Sequence, residues 1–147
     1  MLKPDRVVIH HSKTKDGHTV SWPAIHAYHV NEKGWSDIGY HAGIEDVGGR
    51  FVCMFGRPDV QPGAHCYGQN RRSLGFCFIG DFDAAPPGRL RLVTACRRVL
   101  APWLLRHGLG VDALVPHRQY ANKSCPGSKF DMDELRQICA EVMDELR

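Results

Sequence analysis

The chain has 147 residues, the size of one domain, and is 43% hydrophobic and 24% charged, which excludes intrinsic disorder and supplies enough apolar material for one core. Its 15 glycines follow no period and no heptad run is sustained, so collagen-like, coiled-coil and repeat architectures are excluded. Nineteen basic against sixteen acidic residues leave a net charge of +3, too small and too scattered to announce a nucleic-acid partner.

The first six residues lead straight into an apolar strand, without the long apolar stretch and small-residue cleavage site of a signal peptide. No apolar run approaches the roughly 20 residues of a membrane-spanning helix. Val7, Val8 and Ile9 read as a short buried strand that delivers His10 and His11 at its C-terminal end. A polar loop is expected over 12–19. Ser21 then reads as the N-cap of a helix with Pro23 tolerated in its first turn, Val20 stapling to Ile25, and Gly34 closing it as a left-handed cap.

Residues 38–45 read as a second strand and 51–55 as a third, joined through Gly48-Gly49, a strong hairpin signal because glycine supplies the positive φ angles the turn demands. Residues 56–72 form a Gly/Pro-rich loop, longer than structural economy requires, which points to a binding or active-site loop. The nearly continuous apolar run 74–79 suggests a central strand covered on both faces. Leu92, Val93, Cys96, Val99, Leu100, Trp103 and Leu104 follow the helical period, with Arg91, Arg97, Arg98 and Arg106 on a charged outer side. Pro102 lies inside that pattern and predicts a kink or an early stop.

Residues 112–116 read as a strand ending at His117. The last helix is announced by Asp131 as N-cap, Glu134 at the third helical position and Phe130 stapling to Leu135, with Leu135, Ile138, Val142 and Leu146 as its inward stripe. Strands alternating with helices imply an α/β fold: one domain over 1–147, with a mixed central sheet flanked by helices. Six cysteines are too sparse for a disulfide scaffold. Cys53, Cys77, Cys96 and Cys139 fall in apolar patterns and read as small buried thiols. Cys66 and Cys125 lie in loops, where a disulfide stays open.

Nine histidines are many for this length. His10 and His117 sit at strand ends, from which side chains are aimed rigidly, and Cys125 follows His117 by eight residues. Two imidazoles and a thiolate are a zinc donor set that leaves a fourth position open, as catalytic rather than structural sites do. The spacing alone leaves inert packing of these residues equally open. His10 and His11 point to opposite faces of their strand, so both cannot reach one metal without a bend. His26 and His29, three apart on one helix face, read as packing or hydrogen-bonding groups. Trp22 and Trp103 read as packing aromatics.

Read together, Val8-Ile9-His10-His11-Ser12, the segment Gly34-Trp35-Ser36-Asp37-Ile38-Gly39-Tyr40-His41, Gly56-Arg57, Gly63-Ala64-His65 with Asn70, Ser73-Leu74-Gly75, and His117 followed by Lys123-Ser124-Cys125-Pro126-Gly127 resemble one family. It is that of the zinc-dependent N-acetylmuramoyl-L-alanine amidases of the type-2 fold, which includes phage lysozyme-like amidases and peptidoglycan recognition proteins. The resemblance implies His10, His117 and Cys125 as ligands of one Zn²⁺ and Tyr40 and Lys123 as catalytic residues, with His65, Asn70 and Trp35 along a substrate groove. It implies hydrolysis of the amide between N-acetylmuramic acid and L-alanine in peptidoglycan, most like a phage or prophage endolysin; a recognition module that binds muropeptides without cutting is the alternative. The partners expected are peptidoglycan or muropeptides and no nucleic acid, for a monomer made in the cytoplasm before release to the cell wall.

Overall fold

The computed structural model describes residues 1–13 and 20–147; most of the loop expected over 12–19 lies outside the described residues. Strand β1 (Arg6–His11) is buried along nearly its whole length. Ser21 caps helix α1 (Trp22–Ala27), its side chain accepting from the Ala24 N–H, and a π-helical turn (Tyr28–Glu32) prolongs it toward Gly34 at φ 74°. Strands β2 (Ala42–Val47) and β3 (Arg50–Phe55) close a hairpin through Gly48 and Gly49 at φ 62° and 85°, the double positive-φ turn that two glycines permit. The expected strand thus begins four residues late. Over 38–41 the backbone instead runs along the 56–64 loop: Arg57 N–H donates to the Tyr40 carbonyl and Ala64 N–H to that of Gly39.

Strand β4 (Ser73–Phe78) is buried at every position and β5 (Leu114–Pro116) is short, with the expected residues 112–113 in a 3₁₀ turn. The sheet order is β3-β2-β4-β1-β5; β2 and β3 are antiparallel and the other pairs parallel, which makes the sheet mixed. The period-two alternation divides its faces. Val7, Ile9, Leu74, Phe76, Phe78 and Leu114 face the main core, completed by a long helix over 89–106 and by α4 (Met132–Leu146). Cys77 faces the other way, into a smaller cluster with Trp22, Ile25 and Ile38 under α1. His10 is paired with Cys77 across β1 and β4 and so shares that second face.

Pro102 neither kinks the long helix to a halt nor stops it. The helix runs as α2 (Arg89–Ala95), a π-helical segment (Cys96–Leu100) and α3 (Ala101–Arg106), which places Pro102 in the first turn of α3 where a missing N–H costs little. Arg91 is not a solvated outer charge: its guanidinium lies over Phe51 at 4.9 Å and Phe82 at 5.1 Å. In α4, Asp131 accepts from the N–H groups of Asp133 and Glu134, while Leu146 is 53% exposed and Met132, Cys139 and Met143 complete the buried stripe instead. All six thiols are free, and five of them are buried. Among the described residues no helix is long and apolar enough to cross a membrane.

Candidate metal centre

The parallel pairing of β1 with β5 places Val8 beside Val115 and Ile9 beside Pro116, so His10, still within β1, and His117, just past β5, come to the same end of the sheet. Their rings lie 4.4 Å apart between centroids. Cys125 is brought over from the following loop, whose backbone is tied to the 3₁₀ turn His117–Gln119 by an Arg118 N–H bond to the Cys125 carbonyl at 2.8 Å. Its Sγ accepts the His11 backbone N–H at 3.3 Å and lies 4.0 Å from His10 Nδ1. One donor atom each from His10, His117 and Cys125 falls within 4.8 Å of the other two. His11 points away, its Nδ1 accepting the Phe82 N–H at 3.3 Å on the main-core side.

This donor set fits zinc. Burial pushes His10 well below the ordinary imidazole range, and burial followed by the charge of Lys123 brings His117 down to about 4, so both rings are neutral and carry a free lone pair at pH 7. Burial raises the Cys125 thiol to about 11, partly opposed by the His11 N–H. A divalent cation reverses that balance by binding the thiolate. Three soft-to-borderline donors, with no fourth beside them among the described residues, match an open tetrahedral site.

The three donors form part of the floor of a cavity of about 720 Å³ that also contains Tyr40, Lys123, His65, Trp35, Lys33 and Asp83. The Tyr40 ring is 5.1 Å from that of His10, and burial beside Cys77 and Cys125 raises its phenol well above the usual value, which keeps it protonated. Lys123 is exposed at the rim. Trp35 packs against His29 at 4.6 Å between ring centroids, tilted by 51°, and lies under the Lys33 ammonium at 5.4 Å. A separate and smaller groove of about 330 Å³ between β3 and α3 holds His41 but none of the three donors.

Asn70 takes no part in lining the cavity. Its Oδ1 accepts the N–H groups of His65 and Cys66 at 2.9 and 3.0 Å, so it shapes the loop that carries His65. His26 pairs with Asp37 at 3.4 Å and His29 accepts the Gly39 N–H, as packing and hydrogen-bonding groups do. Sequence reasoning missed Asp83. Its carboxylate accepts from Ser128 N–H at 2.7 Å, Ser124 Oγ at 2.9 Å and Lys13 Nζ at 3.0 Å, which lowers its pKa and clamps the Cys125 loop against the end of β1. The local signal was the pair Asp81 and Asp83 shortly after a buried strand.

The family model described as N-acetylmuramoyl-L-alanine amidase matches residues 1–128. The endolysin of Escherichia phage T7 is 31% identical over 132 residues, covering 87% of this chain and 82% of that protein. The amidase LysC from Clostridium intestinale superposes with a TM-score of 0.78 at 25% identity over 92% of this chain and 85% of its own. A variant of Drosophila PGRP-LB, solved in complex with tracheal cytotoxin, superposes with a TM-score of 0.70 at 28% identity over 88% of this chain and 79% of its own.

Proposed function

Because the chain belongs to the N-acetylmuramoyl-L-alanine amidase family, we propose that it is a zinc-dependent hydrolase that cuts peptidoglycan between N-acetylmuramic acid and the L-alanine of the stem peptide, as an endolysin does. The observation that carries this reading is the convergence of His10, His117 and Cys125 donor atoms within 4.8 Å at the floor of the cavity that holds Tyr40 and Lys123. A bound zinc ion would supply Lewis acidity there, lowering the pKa of a water from about 15.7 toward roughly 7 and polarising the scissile carbonyl.

The chain's own groups account for the rest. The rigid strand ends and the Asp83-clamped loop hold the donors in place without reorganisation. Tyr40, kept protonated, donates a hydrogen bond to the carbonyl oxygen as negative charge builds on it; a phenol so far above its usual pKa is no general base. The Lys123 ammonium at the rim adds a positive charge on the same oxygen. Removal of one such donor costs about 2.7–4 kcal/mol of barrier, roughly 10²–10³ in rate. Lys33 and Lys123 leave the cavity wall net positive, since Lys13 is paired with Asp83, and that suits a peptide bearing carboxylates.

Mass spectrometry of sacculi digested with the purified protein tests the reading. New L-alanine amino termini and intact glycan strands are expected, with release lost in His117→Ala together with zinc, and lost by about 10²–10³ in Lys123→Ala with zinc retained. Similarity to peptidoglycan recognition proteins LCa and LCx, whose ectodomain complex is solved with tracheal cytotoxin bound, supports a second reading, a module that recognises muropeptides. Stoichiometric zinc with no new amino termini would select it.

A further inference from the structure

His10 presents one ring nitrogen to the metal centre and the other to a neighbour. Nδ1 faces Cys125 Sγ at 4.0 Å, and Nε2 lies 2.9 Å from His65 Nδ1, with the two rings nearly perpendicular at 88°. Beyond His65 the path continues: His65 Nε2 is 3.4 Å from Ser73 Oγ, and the Ser73 hydroxyl donates to the Gln69 carbonyl at 2.7 Å.

The direction of the path follows from its last member. A carbonyl only accepts, so the Ser73 hydrogen is committed to Gln69. Ser73 Oγ can then only accept from His65, which places the His65 proton on Nε2 and leaves Nδ1 with a lone pair. His65 Nδ1 in turn accepts from His10 Nε2–H, and His10 Nδ1 is left unprotonated toward Cys125. The reverse arrangement sets two lone pairs against each other between His65 and Ser73.

The strand is cut to fit this path. Gly75 is paired with Val8 of β1, and a Cβ on it would lie 2.5 Å from His65 Cγ, so the ring occupies the space where a side chain would stand. An interior strand glycine of this kind marks a close approach. Asn70 holds the His65 backbone N–H from the loop side.

We propose that His65 is a positioning residue: through Ser73 and Gln69 it fixes His10 in the tautomer that offers Nδ1 to the metal, doing with a neutral imidazole what a carboxylate or carbonyl does behind other metal-bound histidines. This rests on the zinc reading of the site. Because the partner is neutral, the sole anionic group in the donor set remains the Cys125 thiolate.

Long-range ¹H–¹⁵N correlation spectra of the zinc-loaded, histidine-labelled protein test it directly. The expected result is a His10 proton on Nε2, with Nδ1 shifted as a metal-bound nitrogen, and a His65 proton on Nε2; a His10 proton on Nδ1 overturns the inference. Zinc affinity, measured by competition with a chromophoric chelator, is the second readout. His65→Phe keeps a ring but no acceptor and weakens binding by about 10–100-fold. His65→Asn, whose Oδ1 stands near the position of Nδ1, restores most of it. A folded His65→Phe protein with wild-type affinity overturns the inference, and where that variant does not fold the spectra of the wild type decide. A wild type that takes up no stoichiometric zinc fails the zinc reading itself and this inference with it, whereas zinc uptake through His10 Nε2 fails the inference alone.

Discussion

His29 and His41 each spend a ring nitrogen as an acceptor of a backbone N–H, from Gly39 and Gly75 respectively, both at 2.9 Å. Protonation would turn each acceptor into a donor aimed at another donor. Burial brings His29 down to about 4 and also lowers His41, which is 2% exposed. The unfolded chain therefore binds more protons than the folded one below the ordinary imidazole pKa of about 6.5. Stability contributed by these rings is complete above about pH 6.5 and declines as the pH falls toward about 4. Urea midpoints of the metal-free protein should drop between pH 7 and pH 5, before most carboxylates titrate. His29→Asn retains an Oδ1 acceptor without a titrating ring and should show a smaller drop; an equal drop in the two proteins would remove His29 from this account.

Among the elements, α4 shows how much a short sequence signal can settle. Asp131 accepts two N–H groups of the first turn, and Asp133 and Glu134 place acidic charge at the positive end of the helix dipole. Asp131→Ala should cost about 1 kcal/mol, read as a shift in the denaturation midpoint. Glu141 and Glu145 lie on the outer side, paired with Arg89 and Arg97 between largely exposed side chains, and contribute little. The 89–106 helix teaches the complementary lesson. Its apolar period was legible, and so was the cost of Pro102, but not the remedy. The Ala101 N–H reaches back to the Cys96 carbonyl, and this π-helical turn lets the helix pass the proline. Local propensity names the fault in a helix; packing on both flanks decides whether the helix ends or relaxes.

At the scale of the molecule, the candidate metal centre joins residues up to 115 apart in sequence. His10 belongs to β1, whereas His117 and Cys125 lie beyond β5. An ion bound there exists only in the folded state and stabilises it by mass action, by about 2.7 kcal/mol at free zinc roughly 100-fold above Kd. For a chain of this length that is roughly 5–10 °C in Tm. Thermal scans with zinc and with chelator should differ by that order, and the difference should vanish in His117→Ala. A Tm indifferent to zinc in the wild type would contradict the centre.

The alternation of apolar and polar residues, the Gly48-Gly49 turn and the Asp131 cap were written locally, because each depends on side chains within a few residues of one another. For the same reason the sequence by itself determined that these strands exist, though not where each begins, and with them the hairpin, the last helix and the opposite aim of His10 and His11. The start of β2 was not legible, because residues 38–41 find their partners in the 56–64 loop. Nor were the contact of His65 with His10, the space left by Gly75 and the Asp83 clamp on the Cys125 loop. These were decided only by the tertiary structure: a hydrogen bond between residues 55 apart has no periodicity to betray it, and it forms only when the register of β1 against β4 and β5 brings its partners to one end of the sheet.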